Sequence, residues 1–128
     1  MRQKEVEERL RKALEEHREV VFAYLHGSVL ETEHFRDVDV AVYFDESVGD
    51  PLKKELSLAA ELEEKLGLEV DVRALNDAPP AFRYRAIKGK LLIDRNPELR
   101  LRFIEETVWE YLDFEPIERR MRRELLAG

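Results

Sequence analysis

The residues best suited to chemistry lie in two short runs, His26-Gly27-Ser28 and Asp37-Val38-Asp39, separated by eight residues. Two carboxylates at i and i+2 of a strand point to one face about 7 Å apart, close enough to share or bridge divalent cations. Oxygen-only ligands with open positions suit Mg²⁺, which keeps water and takes substrate phosphates as its remaining ligands. Gly27-Ser28 follows an apolar run, where a sharp turn exposes amides and a hydroxyl to a phosphate. Asp71, between Val70 and Val72, is the natural third acid if its strand neighbours the one carrying Asp37 and Asp39. Three carboxylates, a hydroxyl at a glycine turn and two Mg²⁺ ions fit in-line displacement at the α-phosphate of a nucleotide. His17, His26 and His34 lack a metal-ligand spacing, and His26 reads as the end of a strand. Arg83, Arg85, Lys88 and Lys90 read as a solvated face in preference to a nucleotide- or partner-steering set. Trp109, Tyr111 and Phe114 fit core packing or an interface equally.

Periodicity supplies the elements that must position these groups. Val6, Leu10, Ala13 and Leu14 form one face of an amphipathic helix over about residues 2–17. Val20 to Leu25 is short, continuous and β-branched or aromatic, as a buried strand is. In the next strand, Asp37 to Phe44, alternation puts Val38, Val40, Val42 and Phe44 on one face and Asp37, Asp39, Ala41 and Tyr43 on the other. Asp50-Pro51 opens a helix with Leu52, Leu56, Ala59, Ala60, Leu62 and Leu66 as its apolar residues and Gly67 as its stop. A third strand, Leu68 to Leu75, places Glu69, Asp71 and Arg73 on its polar face. A short helix to Lys88 and a brief strand, Leu91 to Ile93, follow the turn residues Asn76 to Pro80. From Pro97 the pattern is helical, with Leu101, Ile104, Val108, Tyr111 and Leu112 on one face, and Pro116 is expected to break or kink it before a last helix. This order predicts an α/β (α+β) domain, a small mixed sheet flanked by helices with a C-terminal helical extension.

One domain over residues 1–128 is expected, since 128 residues leave little room for a second core. The absence of cysteine excludes a disulfide scaffold, a thiolate zinc site and a cysteine nucleophile. A formal charge of −7 disfavours nucleic acid as a direct substrate. No run approaches the roughly 20 apolar residues of a membrane span, and residues 1–5 open no signal peptide, so a cytoplasmic protein with no membrane association is expected. Charged residues at 40% with one Gln and two Asn resemble the composition of thermophile proteins.

The Gly-Ser after the first strand, the Asp-x-Asp opening the second and the lone Asp on the third resemble the nucleotidyltransferase fold. The runs 70–79 and 88–93 and the Tyr111-Leu112-Asp113-Phe114 region are similar to the minimal nucleotidyltransferases, over roughly the whole chain. The resemblance implies that Asp37, Asp39 and Asp71 bind two Mg²⁺ ions and that Gly27 and Ser28 take the triphosphate of ATP. It further implies an antitoxin that transfers AMP from ATP to a tyrosine hydroxyl of a HEPN-family ribonuclease toxin encoded nearby, in a hetero-oligomer with it. The family usually places about ten residues, often with an Arg and a Gly, between Gly-Ser and Asp-x-Asp. Here there are eight without Gly, and Arg36 stands where Ser is usual. That departure motivates an alternative, a non-catalytic binding module of the same fold that neutralises its partner by occlusion.

Overall fold

The computed structural model describes residues 1–33 and 35–127, and the side chains of these other than 113–115, 117, 118, 126 and 127. The readings made for His34, Asp113 and Phe114 therefore lie outside what is described. The described elements run α1 (Gln3–Glu15), β1 (Val20–His26), a 3-10 turn (Ser28–Leu30), β2 (Asp37–Phe44), α2 (Pro51–Leu66), β3 (Glu69–Ala74), α3 (Pro80–Ile87), β4 (Lys90–Asp94) and α4 (Pro97–Ala127).

The strands form one sheet in the order β3-β2-β1-β4. β1 pairs antiparallel with β2 and β4, and β2 pairs parallel with β3, so the sheet is mixed. Parallel neighbours need a crossover, and α2 provides it. Its ends are set locally: the Asp50 carboxylate accepts from the Lys53 amide at 3.2 Å, Pro51 occupies the first turn, and Gly67 takes the left-handed conformation at φ 72°.

Each strand face has its own cover. Val38, Val40, Val42, Phe44, Val70 and Val72 pack with Val6, Leu10 and Leu14 of α1 and Leu58, Leu62 and Leu66 of α2. On the other face Phe22, Tyr24 and Ala41 pack with Leu75, with Phe82 and Ala86 of α3, and with Phe103 of α4. There Phe22 stacks on Tyr43 at 4.9 Å and meets Phe103 edge-on at 5.4 Å. Such ring pairs contribute about 0.5–1.5 kcal/mol each beyond burial.

Three expectations need correction. On α2 the buried stripe is Leu58, Leu62 and Leu66, while Leu52 and Leu56 are exposed; the helix has more apolar residues than its contact face uses. On α4 the stripe is centred on Phe103 and Thr107, one position before the expected Ile104 and Val108, and Leu101 and Leu112 are exposed. The position is set by Phe103 reaching Phe22 and Tyr43. Nor does Pro116 end the helix, which continues through it to Ala127. Proline leaves the carbonyl four residues earlier without its helical donor. Both Leu112 and Pro116 are exposed, so water can take that role.

Side chains also tie the layers at their margins. The outer amides of β3 at Val70 and Ala74 donate to Glu63 and Glu55 of α2 at 3.2 and 2.7 Å. Arg11 of α1 donates to the Leu92 carbonyl of β4 at 3.0 Å. Asn76 bonds both the amide and the carbonyl of Phe44, at 2.9 and 2.8 Å, pinning the turn after β3 to the end of β2. At the start of β1, Glu19 accepts from Lys54 at 2.5 Å and meets His17 at 3.0 Å, and His17 also meets Glu61.

Candidate active site

Period-2 alternation in β2 and β3 sends the hydrophobic residues of both strands to the α1/α2 side and their charged residues to the α3 side. The register then decides which charges meet. Asp39 lies opposite Asp71 in the parallel β2/β3 pair and opposite His26 in the antiparallel β1/β2 pair, making a row across three strands. Asp37, two residues earlier on the same face, lies opposite Glu69 and is exposed.

Above this row passes the turn that follows β1. Gly27 has φ 85°, a conformation that side chains disfavour, and a Cβ there would collide with the Asp39 carboxylate. Glycine is thus required twice over, for the turn and for the closeness of the carboxylate. Ser28 begins the 3-10 turn, held by amides of Glu31 and Thr32 donating to its carbonyl at 3.0 and 3.1 Å. On the far side the turn after α3 comes equally close: a Cβ at Gly89 would strike the Leu25 carbonyl.

These elements enclose a cavity of about 590 Å³, the size of small-molecule sites in general. Its floor is His26, Asp39, Asp71 and Arg73, its roof Gly27, Leu30 and Glu31, and its far wall Phe82, Arg85, Lys88 and Gly89. Of the residues singled out from sequence, Gly27, Asp39 and Asp71 therefore converge in one cavity. Ser28 and Asp37 flank it, solvent-exposed and outside its lining.

The electrostatics follow from this crowding. Burial is the main reason the Asp39 carboxyl titrates above its ordinary value; Asp71 and Asp37 push the same way, and His26 opposes them. Burial likewise lowers the His26 pKa, aided by Arg85 and Arg73 and opposed by Asp39 and Asp71. Among the described residues no hydrogen bond or ion pair engages the carboxylates of Asp37, Asp39 or Asp71. Nor, among them, do three or more His, Cys, Asp or Glu gather tightly enough to hold a metal alone. A half-open set of unpaired carboxylates suits a hard cation that draws its other ligands from water and phosphate.

Sequence reasoning missed the far wall. Arg83 is a structural residue, donating to the Leu75 carbonyl at 3.0 Å and to that of Asn76. Lys90 is exposed and 4.0 Å from Glu7. Arg85 and Lys88, from the same run, do line the cavity, as does Arg73. Arg73 shares the polar face of β3 with Asp71, and Arg85 and Lys88 belong to the cationic run whose nucleotide-steering reading ranks second to a solvated face.

A family model described as polymerase beta, nucleotidyltransferase, matches residues 8–98, from within α1 to the start of α4. No curated protein matches the chain in sequence. Among solved structures, a chain of a toxin-antitoxin crystal structure with AMP-PNP is 21% identical with a TM-score of 0.77, over 94% of this chain and 98% of that one. A chain from a tri-AMPylated HEPN toxin of Shewanella oneidensis in complex with an MNT antitoxin is 20% identical with a TM-score of 0.76, over 97% and 98%. A third, from the toxin-antitoxin MntA-HepT, is 18% identical with a TM-score of 0.74, over 96% and 98%. At 94–97% of the chain, the structural matches take in most of the α4 residues that the family model leaves out.

Proposed function

The chain belongs to the polymerase beta nucleotidyltransferase family, and from that premise we propose that it transfers AMP from ATP to a tyrosine hydroxyl of a helical HEPN-family toxin and so neutralises it. The observation that carries the reading is Asp39 directly opposite Asp71, beneath a glycine turn with no room for a side chain. The similar structures support the choice of nucleotide and partner, since one holds AMP-PNP and another contains an AMPylated HEPN toxin.

In this mechanism Asp37, Asp39 and Asp71 would hold two Mg²⁺ ions, with Asp71 contributing to one of them. Such ions, when bound, would supply charge neutralisation on the phosphates and the incoming oxygen. Gly27 and Ser28 hold the β- and γ-phosphates through the turn and its hydroxyl. Asp71 accepts the proton of the acceptor hydroxyl as its oxygen bonds to the α-phosphorus. The bond from that phosphorus to the bridging oxygen breaks, and pyrophosphate leaves in line.

The test is incubation with α-labelled ATP, Mg²⁺ and the helical product of the neighbouring reading frame. Label should reach the partner with the wild-type chain and fall below detection with D39N or D71N. Absence of label with the wild type, while a known pair labels under the same conditions, overturns the transfer. Should D39N still neutralise its partner in cells, the chain acts by occlusion.

A further inference from the structure

The cavity carries both signs of charge. Asp39, Asp71 and Glu31 bring acids to its lining, and Arg73, Arg85 and Lys88 bring three cations. Carboxylates repel a polyphosphate until metal arrives, so the cations need an account of their own.

Arg73 is the best defined of them. Its guanidinium lies over the face of Phe82 at 4.1 Å, and the edge of His26 meets the same ring at 5.5 Å. Phe82 is buried, so the ring is a fixed platform between the ends of β1 and β3. Stacking uses the flat face of a guanidinium and leaves its in-plane N–H donors free. Among the described residues no hydrogen bond or ion pair consumes those donors, or those of Arg85. Lys88, at the end of α3, rests over the Tyr84 ring at 4.6 Å, and Tyr84 stacks on Tyr111 at 4.1 Å. Two of the three cations are therefore braced by aromatic rings and keep their donors for a ligand.

We propose that Arg73, Arg85 and Lys88 form an anion-binding wall that grips a polyphosphate chain independently of metal, with Phe82 as the residue that positions Arg73. Naming the polyphosphate as that of a nucleoside triphosphate rests on the nucleotidyl-transfer reading; the wall itself rests on the placement of the cations. It adds cationic donors to the grip of the Gly27 turn, whose connection to β2 is only eight residues long. Planar guanidinium forks pair with phosphate oxygens two at a time, which fixes orientation as well as charge.

The experiment is calorimetric titration of the full chain with inorganic tripolyphosphate, once in EDTA and once in Mg²⁺. In EDTA the wild type should bind, R73A/R85A should bind about 10- to 100-fold more weakly, and R73K should fall between them. F82L keeps an apolar residue but removes the ring, and should weaken binding without changing the affinity of an R73A background. Circular dichroism melts report that each variant is folded. If the wild type does not bind tripolyphosphate in EDTA, or R73A/R85A binds as the wild type does, the wall is overturned. The titration is separable from the labelling assay: metal-free binding lost in R73A/R85A supports the wall even where no AMP is transferred, and transfer without metal-free binding sinks the wall alone.

Discussion

Gly27 is the residue at which backbone and chemistry constrain each other most tightly. Its left-handed φ of 85° and the nearness of Asp39 both refuse a side chain. G27A is expected to lose about 1–3 kcal/mol for the backbone conformation alone, since φ 85° with ψ −156° is a region essentially confined to glycine, measurable by urea denaturation. Because the methyl must also push the turn or the carboxylate aside, the rate of the proposed AMP transfer should drop by about 100-fold or more, as shifts near 1 Å do. Asp39 and Asp71 are different in kind. Their positions follow from strand register, so D39N and D71N should keep the fold while losing transfer, and stability and activity should separate there.

At the scale of elements, the decisive question is which side of each helix meets the sheet. Leu58 of α2 is buried and Leu56, two residues earlier, is exposed. L58A should therefore cost about 2–5 kcal/mol, and L56A should stay within about 0.5 kcal/mol of wild type, both read from denaturation midpoints. Sequence periodicity ranks these two the wrong way round, and the reason is physical. A strand's period of two leaves a single choice of face, so the inward valines of β2 and β3 reveal where Asp39 and Asp71 point. Leu52, Leu56, Ala59 and Leu62 surround α2 more broadly than one contact stripe, and only the sheet decides among them. The same limit applies to the cations of the cavity: Arg85 and Lys88 have the spacing of any solvated helix face, and only the fold shows Gly89 drawing that helix end against β1. Pro116 does not break α4, because the carbonyl it leaves without a donor, at Leu112, belongs to an exposed residue that water can reach.

For the molecule as a whole, the ionic cluster around Glu19 joins the connection before β1 to α2. Burial by itself would raise the Glu19 pKa, but bonds from Lys54, from its own backbone amide and from His17 outweigh it and bring it to about 2. A carboxyl lowered in the folded state stabilises the fold above its unfolded pKa, and that stabilisation is lost as pH falls through the folded value. The stability gap between wild type and E19Q should be constant above pH 4.5, narrow toward pH 2 and close below it. Urea titrations of both proteins across that range measure it, and a gap that persists at pH 2 would show that the cluster stabilises by packing and not by charge.

The candidate site lies at a border of the sheet, because β3, which carries Asp71, is one of its two outer strands. An outer strand offers its spare amides to any other chain in solution, the usual seed of intermolecular sheets. Here α2 lays Glu63 and Glu55 across the amides of Val70 and Ala74, and at the opposite border Arg11 of α1 occupies the Leu92 carbonyl. The helix that carries the chain from β2 to β3 thereby also shields the strand it delivers from self-association. A strand that carries the candidate site can thus stay at the border of the sheet without becoming a template for aggregation.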